Sequence, residues 1–225
     1  MGEVNTLNKH NNSYWYEIFA KSTLEVVFEH EFDNLRLSDK PDLIDDSTKR
    51  GIEVTHPTDE KHEKLNSYYH NHLEGKRLDE VSEKGLSRFR SNLYDVVVDA
   101  ENNTICAFRT PYKEFNIEVI YQAIDKKVKK LNENLYDYSD NISLYLEMSV
   151  ASFESSDYSV AEKILNYSME MKENNCLFLE EIFYDCLVKL YRINLKTRKI
   201  VEIDTFDLGD VIEQRFKENM ISEKT

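Results

Sequence analysis

Two acidic residues stand out as a pair that could do chemistry. The run Lys40-Pro41-Asp42-Leu43-Ile44 is followed by Gly51-Ile52-Glu53-Val54-Thr55, with ten residues between Asp42 and Glu53. Glu53 is an isolated carboxylate inside an otherwise apolar run, Ile52-Glu53-Val54, a placement that makes sense if it faces a metal ion. Brought together, two carboxylates offer the hard oxygen site that Mg²⁺ takes while keeping several of its waters. A divalent ion held there could neutralise the developing charge of a phosphodiester and make an attacking water more nucleophilic. Without a metal the same residues read as a turn Asp after Pro and a strand Glu facing solvent.

The surrounding pattern supplies elements to position such a pair. Residues Ser13 to Phe28 predict a first helix, opened by a Ser N-cap and apolar on nearly every side. Short strands follow at 34–37, 41–44 and 51–55, and the polar run 45–50 predicts a hairpin between the last two. Residues 57–90 are polar and helical in flavour, with Gly75 and Gly85 expected to break the helix. A strand pair is predicted at 94–98 and 104–108, then a helix from Pro111 to about Asn132 and a strand at 142–150. Beyond it lie a helix at 159–172, a strand-rich segment at 182–193, a turn at 196–198 leading into 199–204, and a final amphipathic helix at about 208–220. This alternation predicts an α/β fold.

The chain has 225 residues, enough for one α/β domain but tight for two. It has 29 Lys and Arg against 43 Asp and Glu, a net charge of −14, so it repels phosphates at long range and any nucleic-acid contact must be local. Three cysteines without CxxC spacing suggest neither a disulfide framework nor a zinc site. With no leader-like N-terminus and no long apolar run, a cytoplasmic location is the expectation. No phosphate-binding Gly-rich loop or Gly-x-Ser-x-Gly elbow occurs, which argues against nucleotide kinases and α/β-hydrolases. The tripeptide His70-Asn71-His72 lacks the ββα-metal context that would make it catalytic.

The two quoted runs resemble the motif pair that names the PD-(D/E)XK nuclease superfamily. The resemblance implies a restriction-endonuclease-like core, a central mixed sheet flanked by helices, over residues 1–150, with 151–225 as a C-terminal α/β extension packed on the same domain. It also implies that Asp42, Glu53 and the Val54 carbonyl hold Mg²⁺ or Mn²⁺, and that the chain is a metal-dependent nuclease acting on nucleic acid, DNA before RNA. Where the family carries Lys two residues after the Glu, this chain has Thr55, which cannot supply that charge. In some branches the following helix supplies the Lys instead. On the predicted helix Ile117, Ile120, Ile124, Val128 and Leu131 form one stripe, and of the lysines at 126, 127, 129 and 130 only Lys127 falls well inside it. Lys127 is therefore the candidate replacement, against the simpler reading of a Lys snorkelling at the stripe's edge.

The family also uses a first-helix acid, for which Glu17 is the leading candidate, with Glu25 and Glu29 as alternatives. A homodimer would suit double-strand cutting. Two other readings stay open: a catalytically degenerate scaffold that binds a protein partner, and an acidic mimic of DNA. The lysines and arginines between 61 and 90 mark the expected path of a nucleic acid, or else an ordinary solvated face.

Overall fold

Two predominantly apolar runs in this chain are buried almost residue by residue, Ile142-Ser-Leu-Tyr-Leu-Glu147 throughout and Leu179-Glu-Glu-Ile-Phe-Tyr-Asp185 except at Glu180. Such runs suit strands covered on both faces rather than one. The computed structural model describes residues 12–58, 60–92, 94–109, 115–133, 141–148, 155–173 and 179–223. It contains helices α1 (Asn12–Val27), α2 (Glu60–His72), α3 (Glu83–Arg90), α4 (Glu118–Asn132), α5 (Tyr158–Glu173) and α6 (Gly209–Ser222). The strands are β1 (Arg36–Leu37), β2 (Leu43–Asp45), β3 (Arg50–Thr55), β4 (Asp95–Val98), β5 (Ile105–Arg109), β6 (Ile142–Glu147), β7 (Leu179–Asp185), β8 (Lys189–Asn194) and β9 (Lys199–Asp204). The α/β class with a mixed central sheet and flanking helices is as expected from the sequence.

The chain divides into two units, one comprising Met1–Pro57 with Asn116–Thr225 and the other Thr58–Phe115. The boundary expected near residue 150, between a core and an extension packed on the same domain, falls inside the larger unit. Residues beyond it contribute β7, β8 and β9 to the same sheet as β1, β2, β3 and β6, because β7 pairs directly with β6.

In the larger unit the sheet runs β1-β2-β3-β6-β7-β8-β9. The strands β1, β2 and β3 are antiparallel neighbours, β3, β6 and β7 are parallel, and β8 and β9 return antiparallel. The β2–β3 turn is built by Asp45, whose buried carboxylate accepts hydrogen bonds from the Ser47 N–H and Oγ at 2.8 and 2.6 Å. Burial raises the pKa of this group, but the Ser47 and Thr48 donors outweigh it and hold it below the usual carboxylate range. On one face of the sheet Ala20 and Leu24 of α1 close over Leu43, Ile52, Val54, Tyr145 and Phe183.

The smaller unit packs α2, α3 and the β4–β5 pair around Leu65, Tyr69, Leu73, Leu86, Phe89, Tyr94 and Ile105. Gly75 ends the first helical stretch with φ +72, a conformation costly for other residues. Gly85 does not break a helix: it lies in the first turn of α3, where its N–H donates to the Ser82 N-cap at 3.2 Å. A Cβ on Gly85 would stand 3.1 Å from the Tyr68 hydroxyl oxygen, so a larger residue there would have to push that side chain aside. Another expectation that fails is the start of α4 at Pro111. Residues 110–114 lie outside the described set, and 115–116 precede any helical turn, so α4 begins at Glu118, where Asn116 Oδ1 accepts its N–H at 3.0 Å. Among the described residues no helix is long and apolar enough to cross a membrane.

Candidate active site

Asp42 immediately precedes β2, and Glu53 occupies the middle of β3. The β2–β3 register ends at Leu43 opposite Ile52, so β2 no longer covers Val54. The Asp42 carboxylate takes over, accepting the Val54 N–H at 2.7 Å. In an extended strand one residue's N–H and C=O point toward the same neighbour, so the Val54 carbonyl lies on the Asp42 edge as well. The carboxylate is thus fixed by backbone geometry rather than left to its rotamers.

Glu53 alternates with Ile52 and Val54, whose side chains join the cluster under α1, so its carboxylate points to the opposite face of the sheet. There it meets Lys127 from α4. The Lys127 ammonium donates to Glu53 Oε2 at 2.5 Å and to Asp42 Oδ2 at 3.3 Å. The side chains are 14, 19 and 3 % exposed for Lys127, Asp42 and Glu53, so all three charges are largely withdrawn from water. Burial alone would pull the Lys127 pKa down, but the charges of Asp42 and Glu53 more than offset it, and the pKa rises above the ordinary lysine value. At neutral pH the group is therefore a cation held between two carboxylates.

The apolar stripe that selected Lys127 is present, with Ile120, Ile124, Val128 and Leu131 buried and Lys126, Lys129 and Lys130 exposed. Glu17 stands half-buried on α1, where its charge, after burial and Glu223, raises the pKa of Tyr14. It is not a partner of Lys127, whose hydrogen bonds go to Asp42 and Glu53. Glu25 is held elsewhere, by Lys21 and by Asn219 of α6, which donates to its Oε2 at 3.0 Å. Glu29 is exposed beyond the end of α1. In the segment expected to guide nucleic acid, Arg77 pairs with Asp79 and Arg88 lies over the Tyr68 ring at 4.6 Å.

A second group of polar residues gathers on the α1 face, at the carboxyl ends of the three parallel strands. His56 follows β3, Glu147 ends β6 and Asp185 ends β7. The His56 Nδ1 lies 2.5 Å from Glu147 Oε2 and 2.8 Å from the Glu147 carbonyl oxygen, both acceptors, so Nδ1 donates. The imidazole stacks on Tyr16 of α1, ring centroids 4.5 Å apart and planes 6° apart. Asp185 accepts from the Tyr145 hydroxyl and, at 2.9 Å, from the Leu187 N–H. Its burial pushes the carboxyl pKa up to about 6. Sequence reasoning passed over His56 and Glu147 because 91 residues separate them. The structure places both at the carboxyl ends of parallel strands, where α/β proteins place ligands, but in the sequence Glu147 lay inside the predicted strand 142–150 and gave no such signal.

Among the described residues no group of three or more His, Cys, Asp or Glu side chains is disposed to hold a metal ion. A metal at the first site would rest on two carboxylates, the Val54 carbonyl and water, a donor set that Mg²⁺ accepts. Compared with known proteins, the chain matches no family model, no curated protein and no solved structure.

Proposed function

We propose that the larger unit is a PD-(D/E)XK-type nuclease core that hydrolyses phosphodiester bonds of nucleic acid, DNA before RNA. The observation that carries this reading is the meeting of Lys127 with Asp42 and Glu53, three residues from separate elements converging on one point. The order of first helix, antiparallel strands, later helix and a strand parallel to β3 supports it.

Asp42, Glu53 and the Val54 carbonyl would hold Mg²⁺ or Mn²⁺. When bound, such an ion neutralises phosphate charge and lowers the pKa of its water. The chain's own residues prepare the place: the Val54 N–H fixes the Asp42 carboxylate, and β3, paired on both sides, fixes Glu53. Lys127 stands where Thr55 provides no charge. Its raised pKa makes it an electrostatic and orienting group, not a general base at neutral pH.

A degenerate binding scaffold is the second reading. It is favoured by the same triad, because the Lys127 ammonium already occupies the space between the two carboxylates, and by the net charge of −14. Calorimetric titration of Mn²⁺ into the protein and its Asp42→Ala and Glu53→Ala variants separates the two. Saturable binding lost in both variants is the expected result, followed by Mn²⁺-dependent cleavage of plasmid DNA or RNA. A folded protein that binds no Mn²⁺, with or without an added oligonucleotide, overturns the nuclease reading and leaves the scaffold.

A further inference from the structure

Beside the His56–Glu147 pair lies a cleft of about 530 Å³, within the size range of small-molecule sites. Its walls are aromatic, with Trp15, Tyr16 and Phe19 from α1 facing Phe216 from α6. Trp15 and Phe216 are in ring contact at 5.1 Å, yet Trp15 remains 52 % exposed. Among the described residues the charged members of the lining are both acids, Glu147 and Glu213, with no Lys or Arg. Glu213 is exposed and shares its charge with Lys217, at 2.6 Å. Glu147 is 4 % exposed, belongs to the end of a parallel strand, and has its Oε2 engaged by His56. Gly209, at the start of α6, also lines the cleft. The positive end of that helix is opposed by Asp210 in its first turn, so it does not turn the cleft into an anion site.

From these observations we infer that the cleft is a binding site for an organic cation: a protonated amine on an apolar or aromatic body. Carboxylates accept hydrogen bonds and do not donate them, so the polar end of the ligand must be a donor. Aromatic faces attract cations and bury flat or alkyl groups. Together they select a positive head with a greasy body and reject phosphates and carboxylates. The location outside the carboxyl ends of β3, β6 and β7 is where open parallel sheets take their ligands. The site is separate from the Lys127 triad and stands whether or not the chain cleaves nucleic acid.

The chain's single tryptophan, Trp15, sits in the wall of the cleft and reports on it directly. Trp15 fluorescence is titrated with 2-phenylethylammonium, with 3-phenylpropionate and 2-phenylethanol as anionic and neutral counterparts. Saturable change with the ammonium, at least about tenfold weaker with the alcohol and none with the carboxylate, is expected. Glu147→Gln should weaken the ammonium at least about tenfold, and Phe216→Ala should weaken ammonium and alcohol alike, with circular dichroism confirming that each variant is folded. Equal affinity for the three probes, no saturation, or unaltered ammonium binding in folded Glu147→Gln overturns the inference. If Glu147→Gln does not fold, the ranking of the probes on the wild type and Phe216→Ala decides it.

Discussion

The larger unit twice places one cation between two carboxylates, and the two arrangements differ in what they leave unspent. Arg192 of β8 donates from Nη1 and Nη2 to Glu31, both at 2.8 Å, and from Nε and Nη2 to Glu181 at 3.0 and 2.9 Å. Arg50 adds a further bond to Glu31 and Asn194 one to Glu181, and the guanidinium lies over the Phe28 ring at 5.1 Å. That cluster is a closed cross-link of planar forks. Lys127 is a point charge on a flexible stem, touching one oxygen of each carboxylate, with Asp42 Oδ2 also accepting the Val54 N–H. An ammonium can be joined or displaced by another compact cation; a guanidinium bound at both forks cannot. The first cluster therefore reads as architecture and the second as a candidate site.

The largest effect expected is on activity. Asp42→Ala or Glu53→Ala should reduce Mn²⁺-dependent nuclease turnover by at least about 10³-fold, about 4 kcal/mol of transition-state stabilisation, while an Arg192 variant that remains folded keeps its turnover. Cleavage assays at matched protein concentration measure this, and similar losses from both clusters would erase the distinction. Next comes stability: Arg192→Met removes the forked link between Glu31 and Glu181, leaving them only Arg50 and Asn194, and should cost about 3 kcal/mol in urea unfolding, with no recovery on adding Mn²⁺. Lys127→Met should cost less, about 2 kcal/mol, and Mn²⁺ should restore it by binding the two carboxylates of the native state. A Lys127→Met protein indifferent to Mn²⁺ would show that its cluster is as closed as that of Arg192.

The smallest expected effect is at high pH. The folded pKa of Lys127 is raised, so its contribution is complete below the ordinary lysine value of about 10.4 and is lost as pH climbs through the higher folded value. Arg192, already charged throughout that range and raised further by Glu31 and Glu181 despite burial, contributes no such slope. Unfolding curves from pH 9 to 11 should steepen for the wild type and flatten for Lys127→Met.

Much of the candidate site was legible because it is written in local signals. The Pro-Asp run and the isolated Glu marked the ends of a hairpin whose turn is made by Asp45, Ser47 and Thr48, and the helical stripe singled out Lys127 from four neighbouring lysines. What stayed hidden depends on partners far apart in sequence. Arg192 and Glu31 are 161 residues apart, and nothing in either neighbourhood announces the other. The division at 57 and 116 was missed for a related reason: residues 58–115 have their own apolar cluster but no Gly- or Pro-rich linker to mark their limits. Gly85 misled because Gly is a breaker by propensity, whereas here the close approach of Tyr68 leaves little room for anything larger.

The position of residues 58–115 between β3 and α4 also sets an order of events during synthesis. Asp42 and Glu53 leave the ribosome 85 and 74 residues ahead of Lys127. At about 5–20 residues per second, Glu53 waits roughly 4–15 s for its counter-charge. During that interval the two acids can keep their water or borrow a cellular cation, but the edge of β3 awaits β6, which follows Lys127 in the chain. The ammonium is therefore made before the strand that completes the burial of Glu53, and the nascent chain is never required to bury that carboxylate before its partner exists.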